Sequence, residues 1–244
     1  MGAGEANLAK ESTKRAVRWD GVPTAKDARR EAILRLVANM LRDSRLSSFT
    51  IQDVADELGM TKGNLYYYFT DKQDLVYQCH MRSMELSLAA LKAASEPSLS
   101  PPERMRVLLE RHIQAVVSEG FGGVLQTDLD SLSEDRRSAY IRKRDQFERG
   151  VRSIIEAGIA TGDFECGNVK LAGFTILGAI NWIPKWYRPK GPFTVDQISE
   201  QMTDLLIKGL VPKGQGTSDK KTSSDTLLRG NGSPEHEHNT ERRT

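Results

Sequence analysis

Apolar side chains recur along this chain every three to four residues, and no stretch shows the strict alternation of a half-buried strand. Ile33, Leu36, Val37, Met40 and Leu41 follow an i, i+3, i+4, i+7, i+8 spacing, which predicts a first helix over residues 26–43. Ile51, Val54, Ala55 and Leu58 mark the inner face of a second helix at 51–58, with Thr50 and Asp53 at capping-box positions and Gly59 at its end. Thr61 can cap a short helix at 62–69, and Thr70 with Gln73 forms a further box opening a long helix that reaches Ala94. The stretch "EPSLSPP" breaks the chain near 96–102, and helices are predicted beyond it at 102–119, 122–131, 134–161, 168–188 and 194–210. Gly162 suits a C-cap, and "RPKGPF" separates the last two helices. The fold class is all-α, with about nine helices.

The same pattern sets the domain limits. Residues 1–25 carry few apolar side chains (Leu8, Val17, Trp19 and Val22) and read as a mobile N-terminal arm. Residues 213–244 hold Leu227 and Leu228 as their only large apolar residues, too few to offset ordering entropy, so a disordered tail is expected there, with His236 and His238 incidental. Between these lie a three-helix head at 26–72 and a second helical domain at 73–212.

Composition narrows the function by exclusion. The net charge is only +2, so any affinity for nucleic acid must come from placement of charge, and the +3 of residues 1–35 is a weak basic cue. Cys79 and Cys166 lack C-x-x-C spacing, which reads as a reduced, cytoplasmic protein. The N-terminus has no apolar signal region, and the run "LAGFTILGAINWI" at 171–183 is short of the roughly 20 residues a membrane span needs, so no membrane partner is expected. No Ser/His/Asp arrangement, metal-ligand cluster, P-loop or dinucleotide signature is present. An enzyme, a cofactor and a metal are therefore not expected.

The chemistry concentrates in "TIQDVADELGMTKGNLYYYFTDKQDL", residues 50–75. Helix, glycine turn and short helix form a helix-turn-helix arrangement. The second of these helices needs small or polar residues at its start to approach the major groove, and Thr61, Lys62, Gly63 and Asn64 supply them. Asn64 and Gln52 can pair with adenine, Thr61 can offer a methyl to thymine, and Lys62 and Lys72 can meet phosphates. Four successive aromatics, Tyr66 to Phe69, cover nearly all sides of a helix. Leu65, Tyr68 and Phe69 form the inward face, which leaves Tyr66 and Tyr67 pointing out toward phosphate or sugar. The stretch "FTIQDVADELGMTKGNLYYYFTDKQDLV" resembles the helix-turn-helix of the TetR family of bacterial transcriptional regulators over roughly residues 26–76. The resemblance implies DNA contacts by Thr50, Gln52, Thr61, Lys62, Gly63, Asn64, Tyr66, Tyr67 and Lys72. It also implies a dimer built from the last two helices and a middle region enclosing an effector pocket.

In the second domain the helix at 168–188 is apolar almost all round, which calls for burial on more than one side. A two-fold partner would cover one of them. Phe174, Leu177, Trp182, Ile198, Met202 and Leu205 are the candidate dimer residues, and Pro184 should kink or end the helix. "GAINWIPKWYRPKGPF…DLLIKGL" is similar to regulators of fatty-acid and sterol catabolism in the same family, whose effectors are often CoA thioesters. Candidate effector contacts are His112, Phe121, Leu125, Tyr140, Arg144, Phe147 and Phe174. Arg144 lies in an otherwise apolar stripe with Tyr140 and Phe147; it can meet an anionic ligand group, pair with an acid such as Asp128, or snorkel to the edge. His112 reads equally as a packed core residue, and "EGFGG" at 119–123 as a turn. The expected function is a ligand-responsive repressor, dimeric on a palindromic operator in double-stranded DNA and released by a small apolar effector such as an acyl-CoA. The alternatives are a regulator whose second domain only dimerises, or an activator.

Overall fold

A computed structural model describes residues 24–42, 49–126 and 129–212. The expected arm (all but its last two residues) and the expected tail lie outside these. The elements are α1 (Ala25–Arg42), α2 (Ile51–Glu57), α3 (Lys62–Tyr66), α4 (Lys72–Ala94) and α5 (Pro101–Val117), then 3₁₀ turns at Phe121–Gln126 and Leu129–Ser131. They continue with α6 (Glu134–Thr161), α7 (Val169–Asn181), α8 (Ile183–Trp186) and α9 (Val195–Lys208). Among the described residues there is no strand.

Local chemistry sets the boundaries. Thr50 and Asp53 close a reciprocal capping box on α2, and the two hydrogen bonds that the Asp53 carboxylate accepts from Thr50 hold its pKa below the usual carboxylate value. Gly59 takes a left-handed φ of 59°. The Met60 N–H then donates to the Ala55 carbonyl and the Gly59 N–H to that of Asp56, the paired closure of a Schellman turn. Ser100 with Glu103 and Thr194 with Gln197 box the starts of α5 and α9.

Two apolar cores follow. Ile33, Leu34 and Val37 of α1 pack with Val54, Leu65 and Phe69 of the short helices and with Leu75, Val76 and Cys79 of α4; Phe121, Val124 and Leu132 join them. The other core takes Ala90 and Ala94 of α4, Leu108, Leu109 and Ile113 of α5, Phe147, Val151 and Ile155 of α6, Ile176 and Ile180 of α7, and Ile198 and Ile207 of α9. The helix α4 therefore contributes to both.

Several expectations need correction. The long fourth helix is capped by Asp71, whose carboxylate accepts from the Asp74 N–H, while Asp74 accepts from the Thr70 N–H; Thr70 and Gln73 do not form the box. An aspartate one residue later caps as well as a threonine, so the start moves by one. The short helix ends at Tyr66 rather than 69, because the Tyr68 N–H closes back on Leu65 at 2.9 Å and tightens the last turn. The helix expected at 122–131 is a pair of 3₁₀ turns. Gly120 enters them at φ 78°, and a Cβ on Gly122 would lie 2.6 Å from the Val116 carbonyl oxygen, so the chain folds back too tightly on α5 for a regular helix. The helix expected at 168–188 breaks at Trp182: Pro184 sits in the first turn of α8, where its missing N–H is harmless but where it cannot continue α7. The predicted arm ends sooner, since Thr24 and Asp27 exchange hydrogen bonds at the head of α1.

Gly158 tests the second core. An alanine in a helix interior is ordinarily favoured over glycine by about 1 kcal/mol. Here its Cβ would lie 2.1 Å from a ring carbon of Phe164, which is itself buried. Gly158→Ala is therefore expected to destabilise by about 1–3 kcal/mol, read as a fall of several degrees in calorimetric melting temperature; a rise would contradict this packing.

Candidate nucleic-acid interface and ligand cavity

The surface of α2 and α3 carries nearly all the residues expected to meet DNA. Thr50, Gln52, Thr61, Lys62, Gly63, Asn64, Tyr66 and Tyr67 are exposed, and Lys72 is partly covered. Leu65 and Phe69 plug the core beneath and hold the helix by its inner face. That anchoring drives Tyr66 and Tyr67 outward, to 52% and 67% exposure, while Tyr68 is half-buried. Thr61 accepts from the Asn64 N–H, so its hydroxyl is engaged in capping α3 and its methyl is the group left for a base. Gln52 donates to Asp56 one turn on, and Lys72 lies 4.5 Å over the Phe49 ring.

Tyr67 is pre-positioned. Its ring stands edge-on to Tyr68 at 5.2 Å, and the Lys26 ammonium lies 4.3 Å above it and donates to its hydroxyl at 3.2 Å. An ammonium and a phenol held together at the rim of a recognition helix form a ready site for a phosphate oxygen. Lys26 was absent from the sequence-derived site; only its position in the first turn of α1 hinted at it. Residues 24–76 contain eight Lys/Arg and eight Asp/Glu, so net charge gives this face no attraction for DNA, and any affinity would have to come from arrangement.

Behind the head, α4, α5, α6 and α7 enclose a cavity of about 750 Å³. Of the expected effector contacts, His112, Tyr140, Arg144, Phe147 and Phe174 line it. Phe121 is buried in the other core and is not in the lining, and the Leu125 side chain and Asp128 lie outside the described residues. His80, Met84, Arg149, Arg152, Lys170 and Asn181 join the wall without having been foreseen. His80 sets its ring edge against Tyr140, and the His112 ring lies tilted against Phe147, both at 4.8 Å. The charged lining is net cationic: Arg144 pairs with Asp145 at 3.2 Å and Arg152 with Glu148 at 2.9 Å, the second pair through buried atoms, while Arg149 and Lys170 have no ion pair among the described residues.

On the outside of the second core, Phe174 is 49%, Trp182 61% and Leu205 71% exposed, with Leu171 beside them. Leu177 and Met202 are half-buried against their own core. Ile198 is packed into the core of its own domain at 6% exposure, which corrects its assignment to a dimer surface: the neighbouring helices cover the N-terminal half of this face of α9 and leave Leu205, two turns on, uncovered. No helix among the described residues is long and apolar enough to cross a membrane.

Burial pushes both imidazoles down to about 4, with Asn181 pulling His112 weakly the other way. The folded protein thus keeps them neutral where the unfolded chain, near 6.5, already takes up protons. Stability from these groups is complete above about pH 6.5 and is lost as the pH falls toward 4, by up to about tenfold in the folding constant per pH unit for each. His112→Phe should remove one of the two contributions, seen as a shallower fall in melting temperature between pH 6.5 and 4.5; an unchanged slope would place the titration elsewhere.

Comparison with known proteins gives this geometry its context. The family described as "Bacterial regulatory proteins, tetR family" matches residues 46–79, and "Tetracyclin repressor-like, C-terminal domain" matches residues 98–210. The HTH-type transcriptional repressor KstR2 of Mycobacterium tuberculosis is 26% identical over 199 residues, spanning 80% of this chain and 99% of that one. The solved structure of this ketosteroid transcriptional regulator, KstR2 of Mycobacterium tuberculosis, is similar with a TM-score of 0.68 at 24% identity, covering 79% of this chain and 98% of that one. PfmR of Thermus thermophilus is similar with a TM-score of 0.66 at 28% identity, over 78% of this chain and 100% of that one. AibR, solved in complex with isovaleryl coenzyme A and operator DNA, shares the fold with a TM-score of 0.64 at 22% identity, over 75% and 98%. With the helix-turn-helix face at one end and the repressor-like helical domain at the other, the chain belongs to the TetR family of bacterial regulatory proteins.

Proposed function

We propose that this protein is a ligand-responsive transcriptional repressor that binds a palindromic operator as a homodimer in the bacterial cytoplasm and is released by an acyl-CoA. In this reading residues 26–72 are the DNA-binding head and 73–212 the effector-binding and dimerisation domain. The observation that carries it is the course of α4, which begins at Asp71 beside the recognition helix and presents His80 and Met84 to the cavity. A ligand that moves α4 moves the head. The helix α6 runs parallel in effect: Arg136 reaches Asp71 and Asp74 at 3.7 and 3.6 Å, and Tyr140, Arg144 and Phe147 of the same helix line the cavity.

The ligand class follows from the wall. The apolar part of the lining, Met84, Leu129, Phe147, Phe174 and Leu177, suits an acyl body, and Arg144, Arg149, Arg152 and Lys170 against Asp145 and Glu148 leave the lining net positive for a phosphate-bearing carrier. The names of KstR2, a repressor, and of AibR, bound to an acyl-CoA and operator DNA, agree with this reading. The exposed stripe of Leu171, Phe174, Trp182 and Leu205 is the surface we assign to the second copy, since two operator half-sites call for two heads.

The test is fluorescence anisotropy on the DNA upstream of the protein's own gene against a scrambled duplex at physiological salt. Specific binding about a thousandfold tighter is expected, loosened by medium- and long-chain acyl-CoAs; equal weak binding to both duplexes, or indifference to every acyl-CoA, would count against the proposal. Tyr67→Ala is expected to weaken operator binding by about tenfold or more while sedimentation still shows the dimer. Arg136→Ala should keep ligand-free operator affinity and reduce the ligand-induced loss by about fivefold; an unaltered ratio would remove Arg136 from the coupling.

A further inference from the structure

Asp56 occupies a position that two effects make unfavourable for a carboxylate. It lies in the last turn of α2, which holds no basic residue and where the helix dipole favours a cation. It is also exposed on the helix that carries Gln52, where the phosphates of a bound duplex would repel it. The neighbouring Asp53 is explained by the fold, since it closes the capping box with Thr50. Asp56 caps nothing with its side chain, and no Lys or Arg pairs with it among the described residues. Its side-chain partner is Gln52 one turn earlier, whose amide nitrogen donates to Asp56 Oδ1 at 2.5 Å. An exposed pair at this spacing adds little to the stability of a helix.

The bond has a consequence for the free side of the amide. A carboxylate accepts hydrogen bonds and does not donate them, so the nitrogen of Gln52, and not its oxygen, must face Asp56. One amide hydrogen is thereby used, and the oxygen is left for other partners. In the major groove every base pair shows one amino group and one keto oxygen: adenine N6 with thymine O4, or cytosine N4 with guanine O6. Reversing a pair exchanges the sides on which the two groups lie. A glutamine free to turn its amide meets either group equally well, by its oxygen or by its nitrogen. A glutamine held by a carboxylate meets only the amino group.

We infer that Asp56 is a positioning residue for base recognition: it holds the Gln52 amide so that the oxygen reads the exocyclic amino group of adenine or cytosine and rejects the keto oxygen on the other side of the pair. The inference rests on the DNA-binding reading of the head and goes beyond it in naming the group that is read. It also accounts for the position of Asp56. A carboxylate beside DNA weakens binding to every sequence, and what it gives in exchange is discrimination between a base pair and its reverse.

The experiment begins by selecting duplexes from a random-sequence library with the full-length protein. Gln52→Ala then identifies the base pair that Gln52 reads, as the position whose preference it abolishes. At that pair the amino group is deleted (purine for adenine, or 2-pyrimidinone for cytosine), and separately the keto oxygen (5-methyl-2-pyrimidinone for thymine, or 2-aminopurine for guanine). Fluorescence anisotropy compares the duplexes, and which amino deletion applies tells adenine from cytosine. Relative to Gln52→Ala, wild-type protein is expected to lose about fivefold or more in affinity on amino deletion and nothing on keto deletion. In Asp56→Asn, whose amide can donate as well as accept, and in Asp56→Ala, most of that loss should disappear and binding to the reversed pair should tighten. A wild-type loss on keto deletion instead, or no pair that responds to Gln52→Ala, overturns the inference and leaves the DNA-binding reading standing. So do Asp56 variants that keep the full dependence on the amino group, including variants that bind all duplexes uniformly more weakly, which is the result of a merely structural role. Recovery of no preferred sequence by wild type overturns the DNA-binding reading and this inference with it. Two Asp56 variants are used so that failure of one to fold leaves the other decisive.

Discussion

The constraint on which the rest of the structure depends is the sharing of one helix between two cores. From Leu75 to Cys79, α4 belongs to the core of the head, and by Ala90 and Ala94 it belongs to the other. At 1.5 Å per residue its 23 residues extend about 35 Å, with no proline inside to hinge them. Close-packed cores do not deform smoothly, so a helix locked into both moves as a body or not at all. His80 and Met84 lie between the two locked ends, and the cavity is placed where an occupant presses on that body.

At the DNA end the same economy of parts appears in the aromatics. Leu65 and Phe69 are buried beneath the short helix, which leaves Tyr66 and Tyr67 exposed, with Tyr67 braced edge-on by Tyr68. Lys26 completes the arrangement by stacking on Tyr67 and joining the start of α1 to the recognition helix. Positive and negative residues are balanced in the head, and two of the carboxylates beside the candidate DNA contacts are hydrogen-bonded locally, Asp53 by Thr50 and Asp56 by Gln52. In the proposed reading, affinity for DNA would depend on which charges turn outward and not on net charge.

Much of this was legible in the sequence because it depends on short-range rules. The apolar period of α1, the box at Thr50, the glycine at 59 and the outward tyrosines all follow from residues within about one or two helical turns of one another. What escaped depends on distant neighbours. Residues 121–126 have apolar content enough for a helix, but Gly122 meets Val116 and Pro184 so closely that a regular helix has no room. Ile198 and Leu205, seven residues apart, lie on nearly the same face of α9, and one is buried and the other exposed because the neighbouring helices cover only the first. In the cavity, Tyr140, Arg144 and Phe147 were visible as one face of α6, whereas His80 and Asn181 belong to helices whose approach no local pattern encodes.

Phe174 joins the two halves of the proposed mechanism. It lines the cavity and is half exposed on the stripe assigned to the second copy, with the Lys170 ammonium 5.7 Å from its ring. A ligand that displaces this ring alters the surface offered to the partner as well as the wall it touches. In the proposed mechanism, movement of α4 within one protomer and adjustment of the dimer would be two responses to one occupied cavity, and both would change the spacing of the heads. Because a ligand shifts an equilibrium only by its difference in affinity for the two states, a side chain that contacts the ligand on one side and the partner on the other is where such a difference can arise. In that arrangement the strength of the dimer contact and the sensitivity to ligand are set together, and a substitution at Phe174 cannot change one without the other.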